Sequence, residues 1–368
     1  MWIGVPAEIK DGEYRVALTP SGAEALRAAG HKVTVQKDAG DHAGFPNSEY
    51  RKAGAKLVTA AGAWSADLVL KVKEPMPSEF RYFRANLSLF TYLHLAPNPT
   101  LADTLIRKRV TAIGYETVQD EKGRLPLLEP MSEIAGRIAA LMGAYYQANP
   151  QGGRGVLFGG MPGVLPAHVV VLGGGTVGEN AARVAAGMGS RVTILERRAE
   201  RMRYLDEIMG SNVSTLMADP DSVRVAVLSA DILIGAVHVP GARTPMLVSR
   251  ALVKKMKSRS VIVDVAIDQG GSVETSRPTS HSHPTFVKEG VLHYCVPNMP
   301  GAFARTSTLA LTNVTLSYVL QMARHGIPTV FQESKDIARG VQCFQGQLVS
   351  EPVARALKRE FKALDSRL

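Results

Sequence analysis

Residues 168–196, HVVVLGGGTVGENAARVAAGMGSRVTILE, constrain the fold more than any other stretch of the chain. Val169–Leu172 is an unbroken apolar run, as expected of a parallel strand buried on both faces. Gly173, Gly175 and Gly178 then fall on the G-x-G-x-x-G template. The first glycine permits a tight turn, the second lets the backbone approach a pyrophosphate, and the third lets the next helix pack closely on the strand. Ala181, Ala182, Ala185 and Ala186 suit such packing, and Gly187 and Gly189 stop the helix. Arg191–Leu195 reads as a second strand. It ends at Glu196, about 20 residues past the loop, where the partner of a ribose 2′-hydroxyl belongs. A glycine turn in an ordinary βαβ unit would share the triplet, but not the ordered set of strand, triplet, helix, strand and acid. The stretch therefore reads as a dinucleotide-binding βαβ unit, with Thr176 and Val177 inside the loop that holds the phosphates.

The 368 residues leave room for a second domain with its own core. No apolar run approaches the ~20 residues of a membrane helix. MWIGVPAEIK enters a strand directly rather than through a basic and then apolar leader. The two cysteines, Cys295 and Cys343, are too few for a disulfide framework and point to a reducing cytoplasm, each as a small buried apolar group. The net charge of +10 raises nucleic acid as a partner. The basic residues are scattered, however, without a zinc-finger, RRM or helix-turn-helix signature. Arg197, Arg198, Arg201 and Arg203, like Lys254, Lys255, Lys257 and Arg259, read as solvated helix faces. Neither nucleic acid nor membrane is expected as a partner.

Residues 1–125 form an α/β unit of their own. Strands are expected at Trp2–Val5, Lys32–Gln36, Leu68–Val72, Leu87–Leu93 and Val110–Gly114. A helix over Thr19–Ala29 has Thr19 or Ser21 as cap and Gly30 as stop. Ser132–Gln147 is a long helix, and Gly152–Gly163 is a tightly turned or flexible loop. Beyond the opening βαβ unit, strands at Val213–Met217, Ile232–Gly235, Val261–Val265 and Val291–Val296 complete the six of a doubly wound dinucleotide sheet. A helix over Thr308–His325 carries the chain back to the first domain.

Ligands of open α/β sheets bind beyond the carboxyl ends of the strands. Four polar residues fall there or in segments facing such a site. Arg15 can grip a carboxylate bidentately or be a surface arginine. Lys73 can bind a carboxylate, polarise a carbonyl, or sit solvated at a strand end. His94 is the acid/base candidate by residue type, or a histidine simply hydrogen-bonded at a strand end. Asp268, in DVAIDQGG, lies at the rim of a nicotinamide site or forms a turn. His281-Ser282-His283 has a loose metal-ligand look but reads as a solvated loop, and no metal is expected. Glu116 and His325 are a further pair that can meet in space.

RVALTP (15–20), LVLKVKEP (68–75), FTYLHLA (90–96), YETVQ (115–119) and LLEPMSEIAGR (127–137) resemble segments of the L-alanine dehydrogenases. So do QGGRGVL (151–157), DVAIDQGG (264–271), SRPT (276–279) and NMPG (298–301). The resemblance runs in order from the first residue to about Leu320. It implies an α/β chain with a central Rossmann NAD-binding domain over 127–304. A second α/β substrate domain, of flavodoxin- or Rossmann-like type, would be discontinuous over 1–126 and 305–368. It also implies a cytoplasmic homohexamer that interconverts L-alanine and NAD with pyruvate, ammonium and NADH.

Carried over by resemblance, Arg15 and Lys73 hold the substrate and His94 and Asp268 move protons. Ser132, Gly173, Gly175, Thr176, Val177, Gly178, Glu196, Arg201, Val237, His238, Val265, Ala266, Ile267, Asp268, Arg277, Val296, Pro297, Asn298 and Met299 contact the dinucleotide. Glu196 stands where relatives commonly carry Asp. Its charge rejects a 2′-phosphate while Arg197 and Arg198 can accept one, and NAD is the favoured cofactor. Ala218 replaces a common serine, and His238 a common aliphatic residue. Two alternatives share the core: the nucleotide-binding component of a proton-translocating transhydrogenase, and a non-catalytic NAD(H) sensor.

Overall fold

The computed structural model describes residues 1–237 and 244–364. The chain divides into two compact units, Met1–Met131 with Gly301–Leu368, and Ser132–Pro300.

The first unit opens with β1 (Trp2–Val5), β2 (Lys32–Gln36), β3 (Lys56–Val58), β4 (Leu68–Leu70), β5 (Ser88–Thr91) and β6 (Thr111–Gly114). All six pair in parallel, in the spatial order β3-β2-β1-β4-β5-β6. Ile3, Val5, Leu68, Val69, Leu70, Leu89 and Phe90 are fully buried, which explains why these strands read as apolar runs rather than alternating ones. The intervening helices include Pro20–Ala28, whose N-terminus Thr19 caps by accepting the Gly22 N–H at 3.2 Å. Strand order reverses between β1 and β4, the switch point where a doubly wound sheet opens a ligand site.

The second unit contains β7 (His168–Leu172), β8 (Arg191–Glu196), β9 (Val213–Met217), β10 (Ile232–Gly235), β11 (Val261–Asp264), β12 (Thr285–Lys288) and β13 (Val291–Tyr294). Their order is β9-β8-β7-β10-β11-β13-β12, parallel except for the antiparallel edge strand β12. The six expected strands are present, and β12 is an addition. Its two outer residues are exposed and it follows a Ser/His/Pro loop, so it lacked the apolar run that marks a buried strand. On one face Val170, Leu172, Leu233 and Ile262 pack with Val223, Ala226 and Val227 of the helix Pro220–Ser229.

The chain then returns to the first unit through the helix Ala304–His325. There β14 (Val341–Phe344) joins β6 antiparallel, and β15 (Gln347–Leu348) closes the edge as a hairpin. The α/β class, with a Rossmann-type sheet in each unit and one unit discontinuous in sequence, is as the sequence led us to expect. No helix among the described residues is long and apolar enough to cross a membrane.

Candidate active site

In the first unit, the segments leaving β1 and β4 at the switch point carry a buried charge cluster. Lys71, with no exposed surface, lies 3.0 Å from Glu8 and 3.1 Å from Glu79. Burial alone would discharge the ammonium, but the two carboxylates raise its pKa instead. Glu8 also accepts the N–H groups of Val72 (2.6 Å) and Lys73 (3.4 Å), which fixes the backbone that presents Lys73. Arg15 is buried as well. Its Nε and Nη2 donate to the two Glu13 oxygens at 2.7 and 2.5 Å, and its Nη1 lies 3.0 Å from the Met131 sulfur. The reading of Arg15 as a surface residue is therefore set aside. Next to Lys73, burial works against the Glu74 charge. The Lys10 hydrogen bond, with Lys73 and His94 nearby, outweighs it and holds the carboxyl below its ordinary range.

His94 follows β5, the strand beside β4, so it and Lys73 leave neighbouring strands. Its ring stacks on Tyr92, with centroids 5.8 Å apart and planes 4° apart. The Tyr92 hydroxyl donates to the Leu127 carbonyl at 2.5 Å. His94 has φ 46°, a left-handed conformation that costs a non-glycine residue about 1–3 kcal/mol. The Glu116 carboxylate sustains this corner by accepting the His94 N–H at 2.9 Å and the Leu93 N–H at 3.1 Å. Glu116 and His325, a pair the sequence left open, do not meet. His325 instead pairs with Glu333, on the following short helix Val330–Glu333.

In the second unit the glycine loop has the expected geometry. Gly173 has φ 96°, open to glycine, and a Cβ on Gly178 would run into the Gly173 carbonyl oxygen. At Gly175 an added Cβ would meet nothing in the protein, and φ is an ordinary −68°. Internal packing therefore does not explain this glycine. The space it leaves, at the N-terminus of the helix Thr176–Gly187, suits a pyrophosphate. Thr176 and Val177 form the first turn of that helix. Ser132 starts the second unit on a helix whose Gly136 abuts the Val177 carbonyl.

Glu196 ends β8 with its carboxylate accepting the N–H groups of Gly174 (3.0 Å), Arg197 (2.8 Å) and Arg198 (3.0 Å). Burial opposes its charge, yet the Arg198 and Arg197 amides prevail and keep the carboxyl below its ordinary range. Arg201 is not a solvated surface arginine. Its Nε donates to the Gly174 carbonyl and its Nη2 to Glu179, both at 2.6 Å, tying the next helix to the loop.

Val237 follows β10 and packs against Gly173, while His238 lies outside the described residues. Val265, Ala266, Ile267 and Asp268 form a short 3-10 turn after β11, with Asp268 exposed. The loop is closed by Asp264, which accepts the Ser272 and Val273 N–H groups at 3.0 and 3.3 Å. Burial pushes the Asp264 carboxyl up. Val296, Pro297, Asn298 and Met299 follow β13. The Asn298 carbonyl lies 3.3 Å from the His281 ring, and the Arg277 guanidinium sits over Phe286 at 4.3 Å. Burial pushes the thiols of Cys295 and Cys343 up to about 12, so neither is a nucleophile.

A family model described as alanine dehydrogenase/PNT, N-terminal domain, matches residues 4–135, and its C-terminal counterpart matches 139–351. The chain belongs to the alanine dehydrogenase/PNT family. An alanine dehydrogenase of Methanococcus maripaludis is 52% identical over 97% of this chain and 96% of the relative. One of Bacillus subtilis is 51% identical over 98% and 96%. A solved L-alanine dehydrogenase structure has a TM-score of 0.95 at 48% identity, covering 97% of this chain and 99% of that one. Within this alanine dehydrogenase/PNT chain, Glu8, Glu13, Lys71 and Gln342 support the site and were not singled out from sequence. The one signal for Lys71 was a lone lysine in an apolar run.

Proposed function

We propose that the chain catalyses the reversible, NAD-dependent oxidative deamination of L-alanine, in which L-alanine, NAD and water give pyruvate, ammonium, NADH and a proton. Relatives named alanine dehydrogenase at about half identity over nearly the whole chain support this reading. The observation that carries it at the site is the exit of Lys73 and His94 from the neighbouring strands β4 and β5, above a buried charge cluster that includes Arg15.

The residues present fit the nucleotide. Gly175 leaves a cradle that a Cβ would fill, and Glu196 offers a carboxylate beside the loop. Gly173, Gly175 to Gly178, Glu196, Arg201, Val237, Val265 to Asp268, Arg277, Val296 to Met299 and Ser132 would hold it. Glu196 favours NAD by repelling a 2′-phosphate. When bound, NAD supplies the hydride acceptor for the substrate Cα.

Arg15 and Lys73 bind the substrate carboxylate and the developing carbonyl. Fixing the substrate in this way contributes on the order of 7–11 kcal/mol toward the barrier in favourable cases. Lys73 stays cationic and stabilises negative charge on oxygen electrostatically. His94 takes the proton as water adds to the iminium carbon, and returns it to nitrogen as ammonia leaves the carbinolamine. Asp268 assists at that stage. We extend the proposal to a cytoplasmic homohexamer. Exposed Leu157, Met161, Val164 and Leu165 on one loop of the second unit support burial of that loop in an assembly.

The test is a steady-state panel of amino and 2-oxo acids against NAD and NADP. Alanine with NAD, and pyruvate with ammonium and NADH, are expected to dominate. Hydride exchange between nicotinamides without amino-acid turnover would contradict the reading.

A further inference from the structure

Glu116 has no part in the chemistry proposed above, yet two distant segments of the first unit converge on its carboxylate. The Leu93 N–H reaches Oε1 and Oε2 at 3.2 and 3.1 Å, and the His94 N–H reaches Oε1 at 2.9 Å. From β14, 226 residues further along the chain, Gln342 donates its Nε2 to the same Oε1 at 2.9 Å and to Thr117 Oγ1 at 3.0 Å. The Thr117 hydroxyl is within 3.0 Å of the Gly340 carbonyl, a second tie to the C-terminal segment. The approach needs space, and Gly114 provides it, since a Cβ there would collide with the Gln342 amide nitrogen.

Two successive N–H groups aimed at one carboxylate require the chain to turn sharply between them. Leu93 makes that turn, since its φ and ψ set the angle between the two N–H groups, and His94 follows it with a left-handed φ of 46°. An acceptor that holds both N–H groups offsets the strain and fixes the histidine Cα. The stack on Tyr92 fixes the plane of the ring.

We infer that Glu116 and Gln342 form a latch through which the C-terminal segment orients the imidazole of His94. Glu116 is a positioning residue acting on the histidine backbone, and Gln342 acts through Glu116. The inference rests on the reading of His94 as the proton carrier. Proton transfer requires the ring within hydrogen-bond reach of the reacting group, and a displacement of ~1 Å can cost about 10²-fold in rate. It also gives the return of the chain to the first unit a catalytic consequence.

The experiment compares full-length Glu116→Gln and Gln342→Leu, each alone and combined with His94→Ala. It reads kcat, KM for L-alanine and the NADH dissociation constant by fluorescence. Glu116→Gln should lower kcat by roughly 10- to 100-fold and Gln342→Leu by a few-fold, with NADH binding unchanged and Glu116→Asp restoring part of the loss. With His94→Ala already present, neither substitution should lower the residual kcat further, because residues acting as a unit are not additive. Losses that multiply in full in that background would overturn the latch, as would wild-type kcat in both single variants. If Glu116→Gln does not fold, Gln342→Leu decides by the same criterion. Failure of the underlying reading shows itself separately, as wild-type protein without alanine turnover or as His94→Ala with undiminished kcat.

Discussion

The Lys71 ammonium, without any exposed surface, sits 3.0 Å from a Glu8 oxygen while the other Glu8 oxygen accepts the Val72 N–H at 2.6 Å. One carboxylate thus serves as counter-ion to a buried lysine and as anchor for the backbone leading to Lys73. Taking such charges out of water costs several kcal/mol per ion, offset only while every partner is present.

Removing Lys71 alone should therefore be severe. Lys71→Met leaves Glu8 and Glu79 buried without their cation and should destabilise the protein by about 3–5 kcal/mol. Adding Glu8→Gln and Glu79→Gln should recover much of the loss. Urea denaturation of the single and triple variants checks this, and a triple variant as unstable as the single would contradict it.

The glycine loop offers a separation of stability from binding. Gly175→Ala meets no protein atom and has a compatible φ, so the fold should be unchanged or about 0.4–1 kcal/mol more stable. NADH affinity should nonetheless fall by at least about tenfold, because the methyl group occupies pyrophosphate space. Gly178→Ala, which collides with the Gly173 carbonyl, should lose stability as well. Thermal unfolding alongside NADH fluorescence titration distinguishes the two.

His293 gives a pH dependence. It has no exposed surface, its Nδ1 lies 3.0 Å from the Val291 carbonyl, and its Nε2 lies 2.7 Å from the Thr275 hydroxyl. These partners suit a neutral ring, and burial pushes its pKa down to about 4 from 6.5. Below pH 6.5 the unfolded chain takes up a proton that the folded ring refuses. Stability should therefore fall as pH drops from about 6.5 through about 4, by roughly 3 kcal/mol in all at 1.36 kcal/mol per pH unit. His293→Gln should flatten that part of the stability–pH curve, measured by urea midpoints.

What the sequence made legible was local. The loop glycines, the Thr19 cap and the apolar strands each depend on residues within a few positions, so spacing alone exposes them. Lys71 was obscure because its neighbours make LVLKV read as a plain buried strand, while the carboxylates that permit a buried lysine lie elsewhere in the sequence. Glu116 was noticed, but only as a residue able to meet His325 in space. Its contacts are to backbone N–H groups, which carry no residue identity, and to Gln342, 226 residues away. His325 was satisfied by Glu333 on the next short helix, a closer partner than spacing alone could reveal.

For the chemistry, Lys73→Ala should abolish turnover while NADH binding survives, because Lys73 lies in the first unit and the glycine loop in the second. His94→Ala should lower kcat by about 10²–10⁴-fold and alter the pH profile of what remains. Lost NADH binding with normal turnover per bound enzyme would contradict the lysine assignment.

The decisive assay adds L-alanine to the purified protein with NAD and follows nicotinamide reduction, with other amino acids as controls. Alanine-dependent NADH formation is expected, reversed by pyruvate and ammonium, and far weaker with NADP. A chain that binds NADH yet reduces no NAD with L-alanine at any pH would contradict it.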